Sequence, residues 1–201
     1  TTNNIKQFFV EVIEQKQSIL VIANAPHPDL GAIQAALGDQ YQLEFNYSTT
    51  KLNSDAAVYD LLILHQMPNA TDNHRPLQNF LSERPQMPVL WIIGQHTNLS
   101  LFNEMQQLAK VFTSSGDLIQ VNAGFNQNFT AFNADAQMAE QLSQWPPLNL
   151  PYAELELMSQ AEILFFQRIR GVETNRPLVF FGRDGDRKSG LIFGTGVWGW
   201  R

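Results

Sequence analysis

The sequence has no cysteine. That excludes a thiol nucleophile, a disulfide framework and a cysteine-ligated zinc site. Charge is also scarce: only 16% of residues are Asp, Glu, Lys or Arg. The 13 basic residues are scattered and outnumbered by 19 acidic ones, giving a net charge of −6. A surface of that kind does not suit nucleic acid, so no nucleic-acid partner is expected. No apolar run reaches the ~18–20 residues needed to span a bilayer. No signal peptide is visible, and the chain opens on Thr1. The expectation is an excised piece of a longer protein, held at a membrane only through segments outside this fragment. Internal repeats and low-complexity tracts are also missing. What is present is 201 residues with 44% hydrophobic content, enough for one sizeable core.

The chain is organised around residues 19–38. Ile19 to Ala23 is a continuous, β-branched apolar run, which suits a strand buried on both faces of a parallel sheet. Ala25–Asp29 is a turn with two prolines. Leu30, Ile33, Ala36 and Leu37 then recur at helical spacing, and Gly38 stands at the C-cap position. Strand, tight loop and helix make the first half of a βαβ unit. Its loop lies at the carboxyl end of the strand, where open α/β sheets bind ligands. Upstream, Phe8, Val10 and Val12 alternate with Phe9, Glu11 and Ile13. Residues 1–15 read as an edge strand or the tail of an upstream β domain, and residues 16–201 as the α/β domain.

The same alternation continues. Tyr41–Tyr47, Tyr59–His65 and Val89–Ile93 read as strands. A helix follows Pro76 with Leu77, Phe80 and Leu81 on one face; another, capped by Asn98 or Ser100, carries Leu101, Met105 and Leu108. Beyond residue 110 the pattern loosens. Asp117–Val121 is a strand, Gly124–Phe132 a loop and Ala134–Trp145 a helix stopped by Pro146-Pro147. Ile163–Ile169, Leu178–Arg183 and Gly190–Phe193 are short strands, the last two joined by a hairpin turn at Asp184-Gly185. The expected fold is α/β: a three-layer α/β/α sandwich around a mostly parallel sheet, with antiparallel C-terminal strands.

Three loops follow three apolar strands, and each carries a histidine. They hold His27 and Asp29, then His65 and Gln66, then Gln95, His96 and Asn98. In a parallel sheet these loops share one edge and converge on one crevice. Three imidazoles and a carboxylate could bind a divalent metal, orient a small polar ligand or transfer protons. The plainer reading has each histidine ending a strand against a local carbonyl, and Asp29 capping its helix. In the ending Gly194-Thr195-Gly196-Val197-Trp198-Gly199-Trp200-Arg201, Trp198 and Trp200 could form an aromatic platform for a sugar or protein partner. Burial against the sheet edge is the alternative.

Pro26-His27-Pro28-Asp29 resembles the His-Pro-Asp-Asp motif of zinc-dependent N-acetylglucosamine deacetylases. Leu30 replaces the second acid and no His-x-x-His pair occurs, so that family's ligand set is incomplete. Over residues 17–201 the strands Ile19–Ala23, Tyr59–His65 and Val89–Ile93, with the closing Trp198-Gly199-Trp200-Arg201, resemble another group. These are the class I glutamine amidotransferase-like domains of membrane-anchored envelope proteins of Bacteroidetes-type bacteria. The resemblance implies a flavodoxin-like three-layer fold, a periplasmic setting and β domains nearby. It also implies partners among neighbouring domains of the same envelope protein or other envelope proteins. An amidotransferase needs a nucleophile on a sharp turn after the strand that Val89–Ile93 occupies. This chain offers Ile93, Gly94 and Gln95 there. The expectation is therefore an inert binding module that needs no cofactor. A metal-dependent hydrolase using His27, Asp29, His65 and His96, or a carbohydrate-binding domain, stands as the alternative.

Overall fold

A computed structural model describes residues 16–52, 59–113, 115–133 and 136–200. The strand expected within residues 1–15 lies outside the described residues. In chain order the elements are β1 (Ser18–Ala23), α1 (Pro28–Leu37), β2 (Gln42–Asn46), β3 (Leu61–His65), α2 (Arg75–Glu83), β4 (Val89–Ile93) and α3 (Leu99–Met105). Then come β5 (Ala109–Phe112), β6 (Leu118–Phe125), α4 (Ala136–Gln141), β7 (Leu148–Pro151), β8 (Glu154–Leu157), β9 (Ala161–Ile169), β10 (Val172–Asp184) and β11 (Arg187–Phe193). Short 3-10 turns occupy Thr49–Lys51, Leu142–Gln144 and Val197–Trp200.

Among the described residues, nine strands form one sheet in the order β2-β1-β3-β4-β11-β10-β9-β6-β7. Strands β2, β1, β3, β4 and β11 are parallel neighbours. From β11 onward each strand runs antiparallel to the one before it: β10, β9, β6, β7. The last strand of the chain, β11, thus sits in the middle, joining the parallel and antiparallel halves. β5 and β8 pair separately as a small antiparallel ribbon.

The unbroken apolar runs follow from burial on both faces. On β1, Leu20 and Ile22 join Leu62, Leu64, Trp91 and Ile93, packed with Leu77 and Phe80 of α2 and Phe102 of α3. Ile19, Val21 and Ala23 face the other way and join Ile63, Ile92 and Leu30 of α1. Trp91 meets Phe102 edge-on, with ring centroids 5.3 Å apart.

The expected strand–helix alternation from Ser18 to Met105 is present. Three strands, β5, β7 and β8, are additions that the sequence pattern did not announce. Gly124 and Phe125 close β6 rather than opening a loop. Of the expected Ala134–Trp145 helix, Ala136–Gln141 is α-helical and Leu142–Gln144 a 3-10 turn, ended before Pro146-Pro147. Leu108 lies beyond α3, buried in the main core. Gly38 does end α1, but in a right-handed conformation (φ −63°). The Asp184–Arg187 hairpin is as expected, with Gly185 at φ 62° where the tight turn needs it.

Candidate functional site

The loops after β1, β3, β4 and β11 leave the same edge of the sheet and enclose a cavity of about 280 Å³. The β1–α1 loop contributes Asn24, Ala25, Pro26 and His27. Gln66 follows β3, Gln95 and His96 follow β4, and Thr195 follows β11. Leu118 and Asn149, from β6 and β7, close the far side. Of the residues singled out from the sequence, His27, Gln66, Gln95 and His96 line this cavity. Asp29 and His65 lie in a buried cluster that touches His27.

Asp29 is fully buried (0% exposed). It does not cap its own helix, as the plainer reading had it. His27 is the N-cap of α1, and its Nδ1 accepts the Asp29 backbone N–H at 3.2 Å. The Asp29 carboxylate instead reaches across to the last turn of the chain. It accepts the N–H of Gly196 at 3.0 Å and of Trp198 at 3.0 Å. His65 Nε2 approaches the same carboxylate at 3.2 Å, and the rings of His65 and His27 lie 4.8 Å apart. Burial pushes the Asp29 carboxyl up, but the hydrogen bonds from His65, Gly196 and Trp198 outweigh it and hold the group below its ordinary value. Burial lowers the His27 imidazole, with His65 and His96 adding to the effect and Asp29 opposing it. His27 is therefore neutral at pH 7. A backbone N–H can only donate, so Nδ1 accepts and the ring proton sits on Nε2.

The other lining groups are fixed in a similar way. Gln66 adopts φ 54°, a left-handed conformation unusual for a residue with a side chain. This places a sharp backbone turn after β3, whereas an amidotransferase carries its elbow after the strand that β4 occupies. Gln66 Oε1 accepts the His96 N–H at 3.1 Å. Gly94 makes the contact possible: a Cβ there would stand 2.5 Å from Gln66 Oε1 and 2.6 Å from Thr195 Cγ2. Asn69 Oδ1 accepts the backbone N–H groups of Thr71 (3.1 Å) and Asp72 (2.8 Å), which turns its amide nitrogen toward Asn24 Oδ1 at 2.9 Å. Thr195 and Asn149 exchange backbone hydrogen bonds of 2.8 Å in both directions.

The remaining expected site residues stand apart from the cavity. Asn98 caps α3, accepting the Leu101 N–H at 3.2 Å. Trp200 stacks on Trp145 at 4.8 Å and donates from Nε1 to the Pro146 carbonyl at 3.0 Å. Trp198 is 48% exposed on the closing turn. The two tryptophans therefore make no shared platform at the crevice. Sequence reasoning missed Asn24, Thr195, Asn149 and Leu118. Asn24 stands directly after β1 and Thr195 two residues after β11, positions that could have flagged them. Asn149 and Leu118 come from the region past residue 110, where no pattern pointed to an edge.

The lining contains no serine, and its one hydroxyl, Thr195 Oγ1, is directed at the Asn149 carbonyl at 3.4 Å. Among the described residues, His27, Asp29 and His65 bring ligand atoms within 4.8 Å of one another, close enough for a metal ion. Their lone pairs are engaged, however. Asp29 faces two backbone N–H donors, and His27 Nδ1 holds the helix cap. His65 Nδ1 is buried without a partner among the described residues, whereas ligating histidines normally donate from their second nitrogen.

No protein-family model matches the chain, and no curated protein sequence matches it. Solved structures do. A cytoplasmic protein of Salmonella typhimurium LT2 aligns over 90% of this chain and 89% of its own, with 12% identity and a TM-score of 0.52. A ThuA-like protein from Parabacteroides merdae ATCC 43184 aligns over 89% and 79%, with 10% identity and a TM-score of 0.51. A glutamine amidotransferase from Thermotoga maritima aligns over 88% and 75%, with 12% identity and a TM-score of 0.43. At such identities the likeness is one of fold alone. That fold is the mixed α/β, flavodoxin-like arrangement expected from the sequence.

Proposed function

We propose that this is a binding module of the layered α/β/α, amidotransferase-like type that performs no nucleophilic chemistry and holds a small polar ligand at the carboxyl edge of its parallel strands. One observation carries the reading. Four strand ends, with Asn149 of β7, deliver amides, imidazoles and a hydroxyl to one cavity of about 280 Å³, with no activated nucleophile among them. The setting proposed with it is the periplasmic part of a membrane-anchored envelope protein, with partners in that protein's neighbouring domains. The resemblance of the closing Trp-x-Trp-Arg and the strand set supports that setting. Screening the purified domain against small polar compounds by ligand-observed NMR tests the binding claim. Saturable binding, reduced by His96→Ala, is expected; no binding across the screen would refute it. Sequencing the full-length gene product tests the setting: membrane spans and β domains flanking this region are expected, and a free-standing chain would contradict it.

A second reading has one observation in its favour. His27 Nδ1 and His65 Nε2 lie 3.3 and 3.2 Å from Asp29 Oδ2, a spacing that suits ligands about 2 Å from a zinc ion. Elemental analysis of the purified protein separates the two. Stoichiometric zinc that is lost in His27→Ala favours the metal reading, and its absence favours the binding module.

A further inference from the structure

Three cavity side chains have their hydrogen-bond acceptors occupied from within. Gln66 Oε1 takes the His96 N–H. Asn24 Oδ1 takes the Asn69 amide, whose own orientation is set by two backbone donors. His27 Nδ1 takes the Asp29 N–H. In each case a group that can only donate fixes the side chain's orientation. What remains is a set of donors, Gln66 Nε2, Asn24 Nδ2 and His27 Nε2–H, with no partner among the described residues. Gln66 is only 5% exposed, and it lines the cavity.

No Lys, Arg, Asp or Glu lines the cavity, and the ionised Asp29 sits directly behind His27. A net negative ligand would meet that carboxylate without a compensating cation. Ala25, Pro26 and Leu118 add an apolar wall, and exposed Gln95 and His96 stand at the rim with acceptors to spare. The volume of about 280 Å³ falls just below the range for drug-sized ligand sites, about 300 to 1,000 Å³, and so suits a small ligand. Resting on the reading that the crevice binds a ligand at all, we infer that its ligand is an uncharged, oxygen-rich ring, a single neutral sugar unit. Its oxygens accept from Gln66, Asn24 and His27, and its C–H face lies on Pro26 and Leu118.

Isothermal titration with methyl glucoside, methyl galactoside and N-acetylglucosamine, set against acetate, phosphate and sulfate, tests this. Two isosteric variants accompany the wild type: Gln66→Glu and Asn24→Asp. Each keeps the internally used oxygen and turns the free donor into a charged acceptor. Binding of at least one neutral sugar, weakened about tenfold or more in either variant while the melting temperature holds, is the expected result. Preference for the oxyanions would overturn the sugar assignment and leave the binding module standing. Sugar binding unchanged in both variants would place the sugar elsewhere and also overturn it. No binding of either panel would overturn the sugar assignment, and the broader screen of small polar compounds then decides on the binding module separately.

Discussion

Replacing Asp29 by Asn tests the buried carboxylate that joins the first helix to the last turn. Asp29 is fully buried and accepts three hydrogen bonds, from Gly196, Trp198 and His65, at 3.0 to 3.2 Å. Bonds to a charged group contribute about 1.5–3 kcal/mol each, against about 1 kcal/mol for a neutral pair. Asn keeps one oxygen, so two backbone donors fall from the charged to the neutral class. Its amide nitrogen then faces His65 Nε2, which must change tautomer to accept. The expected loss is about 3 kcal/mol, the difference between charged and neutral hydrogen bonds summed over these donors. In a domain of this size that lowers the melting temperature by about 6–12 °C. Urea unfolding followed by tryptophan fluorescence reads it, because Trp145 and Trp200 stack beside the same turn. A loss under about 0.5 kcal/mol, the value of an ordinary surface change, would refute the latch. The effect also has a pH signature. The folded-state value of Asp29 is depressed, so its contribution is full above the unfolded carboxyl range near 3.9 and is lost as pH falls through the lower folded value. The gap between wild type and variant should therefore close only in strong acid.

Other outcomes follow from the same geometry. Burial lowers His27 in the fold, so its neutral form contributes stability above the unfolded value near 6.5, and that contribution is lost as pH falls toward the folded value. His27→Asn, which retains a capping oxygen, should flatten the decline in melting temperature between pH 7 and 5; an unchanged slope would contradict the assignment. Gly94→Ala should cost about 1–3 kcal/mol in urea unfolding, because the new Cβ meets Gln66 Oε1 and Thr195 Cγ2. Asn98→Ala should cost about 1 kcal/mol as a lost helix cap and leave ligand binding as it was. Trp200→Ala should cost about 2 kcal/mol through the lost stack on Trp145 and the freed Pro146 carbonyl, read as a lower urea midpoint.

The parallel half of the fold was legible because its strands are buried on both faces. Ile19–Ala23 and Val89–Ile93 must be apolar throughout, and that leaves an unmistakable run. β7 and β8 leave none: Leu148–Pro151 and Glu154–Leu157 are four residues long, too short for alternation to stand out. The insertion of β11 beside β4 was equally hidden, since register between distant strands depends on tertiary packing. At the site, the histidines were visible as strand-ending residues. Their division of labour was not. His27 and Asp29 are two residues apart, and local pattern gives the cap to the acid. The turn at Gly196–Trp198 offers that acid two backbone donors from the far end of the chain, and the cap passes to the imidazole. Asn98 shows the reverse case: a residue suspected of binding is held by the helix it starts.

The most direct test is the side-chain amide region of a ¹⁵N–¹H spectrum during titration with a neutral sugar. The NH₂ signals of Gln66 and Asn24 should shift together and saturate, with acetate leaving them in place. Signals that stay fixed with every sugar, or that move only with the oxyanions, would contradict an uncharged ligand seated on the free donors of this crevice.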